Sequence, residues 1–104
     1  MAALHSKFVA ESMLVQKIIN RLKLRHLLVL LTIQEHRSLT RVAHQLATSQ
    51  PAVTQLLAEL EALFGGPLFL RSSRGMEPTP LGQIVLARSR TMLSDVNHWA
   101  RDLE

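Results

Sequence analysis

The apolar residues of this chain recur mostly at the spacing of α-helices. Apolar positions three and four apart predict helices over residues 12–21, 24–36, 39–46, about 50–64 and about 80–103. The second of these segments is apolar on nearly every side, so we expect its helix to be buried. Ser38 and Thr79 stand where a helix N-cap is needed, and Pro51 and Pro80 are tolerated because each falls in a first turn.

The segment between the last two helices has a different pattern. Gly65, Gly66 and Pro67 end the fourth helix, and residues 68–71 and 76–78 are predicted to be short strands joined by a tight turn. We therefore predict a mainly α fold. It is a winged helix-turn-helix, with a three-helix core and a short two-stranded wing, followed by a long linker helix. The expected divisions are an N-terminal extension (1–22), the winged unit (23–78) and the linker and dimerisation helix (79–104). The extension is expected to cover one flank of the core or of its neighbour.

The third and fourth helices meet the steric requirements of a helix-turn-helix. Residues 47–49 have the length of a tight turn between two helices. A small residue is needed where the helices cross, and Ala43 is there. The turn needs another small residue, and Ala47 is there. The neighbouring inward positions are all apolar: Val42, Leu46, Val53 and Leu56.

The outward face of the fourth helix is unusual for a solvated surface. At about 100° per residue, its bulky apolar residues gather on the inner side: Val53, Leu56, Leu57, Leu60, Leu63 and Phe64. The opposite side carries small or uncharged polar residues: Gln50, Pro51, Thr54, Gln55, Ala58 and Ala62. Gln and Thr can hydrogen-bond base edges, and Ala or Pro can touch a thymine methyl group. Glu59 and Glu61 flank this face and would repel phosphate, so we expect contact in the first two turns. Packing on a protein partner is the alternative.

Positive charge is concentrated in the middle of the chain. The formal net charge is +4, and residues 21–90 carry nine Lys and Arg against four Asp and Glu, so a polyanion would contact this region. The predicted wing has Arg71 at its base and Ser72, Ser73, Arg74 and Gly75 at its tip. Arginine supplies charge and a forked donor, serine a small donor, and glycine a close approach to a phosphate backbone. A solvated turn with two incidental arginines is the alternative.

Several stretches resemble the LysR-type transcriptional regulators. The resemblance is carried by LRHL at 24–27, SLTRVA at 38–43, SQPAVT at 49–54, LE at 60–61, FG at 64–65, PLF at 67–69 with Arg71, and TPLG at 79–82. The order Ser-Gln-Pro-Ala is highly specific, and the resemblance extends from about residue 24 to the C-terminus. It implies a winged DNA-binding domain whose linker helix pairs antiparallel with that of a second copy. The implied ligand is double-stranded DNA, at an operator with dyad symmetry.

The resemblance also implies roles for particular residues. It places base contacts on Gln50, Pro51, Thr54 and Gln55, and backbone contacts on Thr40, Arg41, Thr48, Ser49, Arg71 and Arg74; from the wing chemistry we add Ser72 to the backbone contacts. Many family members have Arg where this chain has Gln55, so we expect modest affinity from this helix and a preference for adenine over guanine. Members continue into an effector-binding α/β domain, in which a small-molecule effector and tetramer formation would reside. We therefore expect this chain to be part of a longer regulator, with a naturally short regulator as the alternative.

The last predicted helix carries an apolar stripe that is interrupted near Arg88 and Ser89. A stripe this long, projecting from a small domain, needs a partner, and a second copy is the simplest one. Packing on the chain's own core would account for only the first half. We expect a homodimer that uses Leu81, Val85, Met92, Val96, Trp99 and Leu103, with Ile84 on the same stripe.

Other function classes are disfavoured by what the sequence lacks. There is no cysteine, no Gly-x-Ser-x-Gly motif, no phosphate loop and no histidine pair at helical spacing, so we expect no enzyme, metal site or cofactor. The longest apolar run, 27–31, is far short of the roughly 20 residues that cross a bilayer, which predicts a cytoplasmic protein without a membrane partner. The prediction is the sequence-specific DNA-binding domain of a transcription regulator. A winged-helix protein-interaction or dimerisation module without DNA binding is the alternative.

Overall fold

The computed structural model describes residues 12–104. They form five helices and a two-stranded antiparallel sheet, in the order α1 (Met13–Arg21), α2 (Leu24–His36), α3 (Leu39–Gln45), α4 (Gln50–Phe64), β1 (Phe69–Ser72), β2 (Gly75–Pro78) and α5 (Pro80–Leu103). The predicted mainly α, winged helix-turn-helix fold with a long last helix is confirmed. Of the N-terminal extension, residues 1–11 lie outside the described residues, and the predicted helix over 12–21 is α1. None of the helices in residues 12–104 is long and apolar enough to cross a membrane.

Side-chain caps determine where four of the helices begin. Ser12, Ser38, Ser49 and Thr79 each accept a hydrogen bond from a backbone N–H in the first turn of the helix that follows. The distances are 3.2 Å from Arg41 to Ser38, 3.2 Å from Ala52 to Ser49 and 3.0 Å from Gly82 to Thr79. A cap of this kind stabilises a helix by about 1 kcal/mol, which is why the starts of α3 and α5 could be predicted from Ser38 and Thr79.

The core lies between α2, α3, α4, the wing and the first half of α5. Its buried side chains are Leu30, Ile33, Leu39, Val42, Ala43, Val53, Leu57, Leu60, Leu63, Leu68, Phe69, Met76, Val85 and Leu86. The predicted inner face of α4 is therefore correct, although Leu56 and Phe64 at its edges are only half-buried. The core is almost entirely aliphatic, and the helices pack through Leu, Val and Ile.

The turn between α3 and α4 closes with a left-handed residue. Ala47 has a φ of 55°, the Thr48 N–H donates to the Ala43 carbonyl at 2.9 Å, and the Ala47 N–H donates to the His44 carbonyl at 3.2 Å. This is the two-bond closure with which many helices end. Ala43 is buried as expected, whereas Ala47 is exposed. A small residue suits position 47 because of its backbone conformation, in which a larger or branched side chain would be strained.

The first turn of α2 depends on a neutral histidine. The Lys23 N–H donates to Nδ1 of His26 at 3.1 Å, so the imidazole must be unprotonated to accept this bond. Partial burial lowers the pKa of His26 below its usual 6.5; Arg25 and Lys23 lower it further, and Glu59 opposes them. As the pH falls below 6.5, the unfolded chain therefore binds a proton before the folded chain does. The stability that neutral His26 provides is present above this pH and is lost as the pH falls towards the folded-state pKa.

The substitution His26→Gln should make the stability less sensitive to acid. Gln at this third helical position can still accept the Lys23 N–H but does not titrate. We expect the free energy of unfolding, measured by urea denaturation, to fall from about pH 7 to pH 5 more steeply in the wild type than in the variant. Equal pH dependence in the two proteins would contradict this role for His26.

The start of α5 is attached to the chain just before the wing. The Thr79 hydroxyl donates to the Pro67 carbonyl at 2.6 Å, and the Thr79 N–H donates to the Leu68 carbonyl at 3.0 Å. Gly82, one turn into α5, is buried so closely against Leu68 that a Cβ there would overlap the Leu68 carbonyl oxygen. The Leu68 N–H donates in turn to the Glu61 carboxylate at 2.8 Å. These contacts fix the direction in which α5 leaves the winged unit.

Candidate nucleic-acid interface

The four residues predicted to contact bases lie together on an exposed surface. Gln50, Pro51, Thr54 and Gln55 occupy the first two turns of α4, and all four are exposed. We call these residues the outer face of α4. Ala58 and Ala62 continue the same surface without charge. Because the inner side of α4 is held in the core, this face is presented on a rigid helix.

A hydrogen bond between α3 and α4 orients one of these residues. The Thr40 hydroxyl donates to Oε1 of Gln50 at 3.2 Å. With its oxygen bonded to Thr40, the planar amide of Gln50 directs its NH₂ group to the other side. Gln50 therefore presents a donor, which suits an acceptor on a base edge. From the sequence alone, Thr40 is expected only at the phosphate backbone, because a ten-residue separation does not indicate that its side chain meets that of Gln50.

The other backbone-contact candidates surround the N-terminus of α4. Arg41, Thr48 and Ser49 are exposed, and Ser49 also caps the helix. The first turn of this 15-residue helix contains no acidic residue. The positive end of the helix dipole therefore lies beside the outer face of α4 without a carboxylate in the same turn, a distribution that suits a neighbouring anion.

The wing carries its arginines on a turn that its own side chains organise. β1 and β2 pair from Phe69↔Pro78 to Ser72↔Gly75, leaving Ser73 and Arg74 at the tip. The Ser72 hydroxyl donates to the Gly75 carbonyl at 3.1 Å and accepts the Arg74 N–H at 3.1 Å. The only hydroxyl proton of Ser72 is therefore engaged within the turn. Ser72 therefore organises the tip of the wing, and its contact with the DNA backbone stays a prediction.

The wing is also attached to the corner between α2 and α3. The Met76 N–H donates to the Arg37 carbonyl at 2.8 Å, and the Arg37 guanidinium pairs with Glu77 at 2.8 Å. Gly75 has a φ of 100°, and a Cβ there would overlap the Arg37 carbonyl oxygen. Arg37–Glu77 is the one salt bridge within residues 12–104. Arg41, Arg71 and Arg74 therefore have no acidic partner in this part of the chain. This role of Arg37 could not be predicted from the sequence, because a positive φ has no sequence signature in a non-glycine residue.

The predicted dimerisation residues divide into two groups. Met92, Trp99 and Leu103 are exposed, Trp99 to 73% and Leu103 to 84%, and Val96 is half-buried. Val85, in contrast, is only 8% exposed and belongs to the chain's own core, against which Leu81 also packs. Including Val85 in a dimer surface was therefore wrong, because α5 is rotated so that this position faces α2. Ile84, which is 62% exposed, is the residue of that turn that points outward.

No group of three or more His, Asp or Glu side chains that could hold a metal ion occurs within residues 12–104. The expectation of no metal or cofactor stays a prediction.

The fold and this surface define a class of protein: the outward, uncharged helix face and the arginine-tipped wing form a winged helix-turn-helix DNA-binding domain. Residues 24–83 match the model of the bacterial regulatory helix-turn-helix proteins of the LysR family. This match covers more than half of the chain, and the chain belongs to the LysR family. α1 precedes the matched residues.

Curated relatives agree with this assignment. The chain is 43% identical over 81 residues to the small neutral protease regulatory protein of Streptomyces coelicolor, a match that covers 78% of this chain and 25% of that protein. It is 43% identical over 83 residues to the transcriptional regulator GbpR of Azospirillum brasilense, covering 80% and 24% respectively. The chain thus spans about a quarter of the length of these relatives.

Solved structures show the same architecture. The BenM DNA-binding domain in complex with benA site 1 DNA superposes with a TM-score of 0.73 at 29% identity, covering 79% of this chain and 92% of that one. The CbnR DNA-binding domain in its DNA complex gives a TM-score of 0.71 at 30% identity, covering 78% and 93%. These similarities confirm the winged helix-turn-helix fold.

Proposed function

We propose that this chain binds double-stranded DNA sequence-specifically, as a homodimer on an operator with dyad symmetry, and serves a bacterial transcription regulator. In this role it acts in the cytoplasm by binding alone, without catalysis. The observation that carries the proposal is the pairing of two surfaces. An uncharged outer face on α4 lies in the same winged unit as arginines that have no acidic partner within residues 12–104. The DNA complexes of BenM and CbnR, which share this fold, support it.

Base recognition is assigned to the first two turns of α4. The major groove of B-DNA is about 12 Å wide and admits one helix. Gln50 would donate its NH₂ group to a base acceptor, because its oxygen is held by Thr40. Gln55 would pair with adenine through both ends of its amide, and Pro51 and Thr54 would contact thymine methyl groups or neighbouring base edges.

Affinity is assigned to residues outside this face. Arg71 and Arg74 on the wing and Arg41 on α3 would neutralise phosphates, while Thr40, Thr48 and Ser49 would position the backbone at the start of α4. Thr40 would then serve both the phosphate and Gln50. Because phosphates are the same at every base pair, these contacts would raise affinity without selecting sequence.

Dimerisation is assigned to the exposed half of α5. This helix has 24 residues, and at 1.5 Å per residue it is about 36 Å long. The exposed apolar residues Met92, Trp99 and Leu103 lie in its second half, together with the half-buried Val96. A second copy covering them would relate two α4 helices by a twofold axis, which is the symmetry of an operator with two half-sites.

The test is the salt dependence of binding to duplex DNA. Fragments selected from the source genome would be titrated with the purified chain at several salt concentrations. Three arginines in each of two copies give six neutralised phosphates, so log K should fall against log salt with a slope of about −5. The absence of saturable, salt-sensitive binding would contradict the proposal and favour a winged-helix protein-interaction module.

A further inference from the structure

The helix that precedes the family match carries an apolar face that its own chain covers only in part. Leu14, Val15, Ile18, Ile19 and Leu22 share one side of α1, and the polar residues occupy the other. No residue of α1 is fully buried; Leu14 is 45% exposed and Ile19 is 60% exposed. α1 is thus strongly amphipathic, yet much of its apolar side remains open in the described structure.

This open side of α1 forms a groove with α5. Leu14 and Ile18 form one wall, and Ile84, Arg88 and Met92 form the other. Leu27 and Phe64 also line the groove, which has a volume of about 260 Å³. Met92 borders two further apolar depressions, one shared with Ile19 and Leu24 and the other shared with Leu24 and Trp99. The apolar surface therefore continues without a break from α1 to the dimerisation residues of α5.

Charge along α5 indicates what fits this groove. The first half of α5 carries Arg88 and Arg90 and no acidic residue, whereas the second half and the residue after it carry three acidic residues, Asp95, Asp102 and Glu104, against one basic residue, Arg101. Two antiparallel copies of α5 would bring each acidic half against a basic half. Met92 borders all three depressions, so the twofold axis is placed near it. Trp99 of the second copy then lies at the level of the exposed Ile84, at the groove between α1 and α5.

We propose that α1 and α5 together form a socket for the C-terminal half of α5 from a second copy of this chain, with Trp99 of that copy between Leu14, Ile18 and Ile84. This inference rests on the proposed homodimer. It adds that α1, which lies outside the family match, is part of the dimer contact. Because the dimer has a twofold axis, it contains two such sockets, and α1 contributes to the free energy of dimerisation at both.

A disulfide cross-link tests the contact directly, because the chain contains no cysteine. The double variant Leu14→Cys/Trp99→Cys should form a covalent dimer under mild oxidation at high protein concentration. The matched control is Asn20→Cys/Trp99→Cys, since Asn20 lies on the polar side of the same helix. The control should remain monomeric on a denaturing gel. Equal cross-linking of both pairs, or of neither, would overturn the socket.

A pair of charge variants tests the energetic contribution. Leu14→Glu places a charge in the groove, whereas Met13→Glu places the same charge one residue earlier, at a position that does not line the groove. By sedimentation equilibrium, we expect Leu14→Glu to raise the dimer Kd about tenfold or more, since a carboxylate is costly to bury against the apolar side chains of this groove. Met13→Glu should change the dimer Kd by less than about twofold, because surface substitutions have small effects. Equal Kd values for the two variants would overturn the proposal.

DNA titrations separate this inference from the proposed function. Leu14→Glu should bind a duplex with a single half-site as well as the wild type does, which also shows that it folds. It should bind a duplex with two half-sites less tightly. A wild-type protein that cross-links through the socket but binds no DNA would overturn the proposed function alone. A wild-type protein that dimerises and binds the operator, with Leu14→Glu unimpaired on both duplexes, would overturn the socket alone.

Discussion

Replacing Gly82 with alanine should lower the free energy of unfolding by about 3 kcal/mol or more, a large part of the 5–15 kcal/mol that stabilises a typical domain. Gly82 is buried, and an added Cβ would overlap the carbonyl oxygen of Leu68. That oxygen cannot easily move, because Leu68 is held through its carbonyl by Thr79 and through its N–H by Glu61. Either α5 shifts away from the core or these hydrogen bonds break.

The matched control is Gln83→Ala. Position 83 is the next residue of the same helix and is exposed, so its substitution should change the stability by less than about 0.5 kcal/mol. Urea denaturation of both variants gives the comparison. Equal stability of Gly82→Ala and Gln83→Ala would show that Gly82 does not pack directly against the Leu68 carbonyl.

The substitution Gln50→Ala should remove discrimination at one base pair of each half-site, by about 1–3 kcal/mol. Gln50 is exposed on the outer face of α4, and its amide is fixed at one end by the Thr40 hydroxyl. Loss of this side chain should reduce the affinity for the preferred base towards that for the other three. Competition binding against duplexes substituted one position at a time measures this change.

The same experiment separates two roles for Thr40. Thr40→Val keeps the shape of the side chain but removes the hydroxyl, so the Gln50 amide should be free to rotate and part of the same discrimination should be lost. Thr40→Ser retains the hydroxyl and should preserve the discrimination. If Thr40 contacted only phosphate, Thr40→Val would instead weaken all duplexes equally. That result would contradict the positioning role.

The sequence could predict features that depend on local chemistry. The bounds of α4 and α5 follow from apolar spacing together with Pro51 and Gly65 in the first helix and Thr79 and Pro80 in the second, and the structure places them within a residue of the expected positions. The outer face of α4 also follows from helical geometry alone. These features do not depend on how one element lies against another.

Features that depend on tertiary contact could not be predicted. The burial of Val85 reflects the rotation of α5 on the core. The apolar stripe of α5 is wider than one interface, so the sequence does not determine which of its residues face the core. The overlap at Gly82 and the hydrogen bond between Thr40 and Gln50 join residues distant in sequence. The small residue expected at position 47 was present for a different physical reason, its positive φ.

The central claim is that α4 reads the DNA sequence and that the wing provides affinity. Measuring both properties in the same variants tests this claim most directly. Salt titrations would compare the wild type, Gln55→Ala and Arg74→Ala on an operator duplex and on a scrambled duplex. Arg74→Ala removes two phosphate contacts per dimer, so it should reduce the salt slope by about 2 on both duplexes and leave their affinity ratio unchanged. Gln55→Ala should reduce the ratio and leave both slopes unchanged. Equal effects of the two substitutions on the ratio, or no salt slope in the wild type, would contradict the assignment of sequence reading to α4 and affinity to the wing.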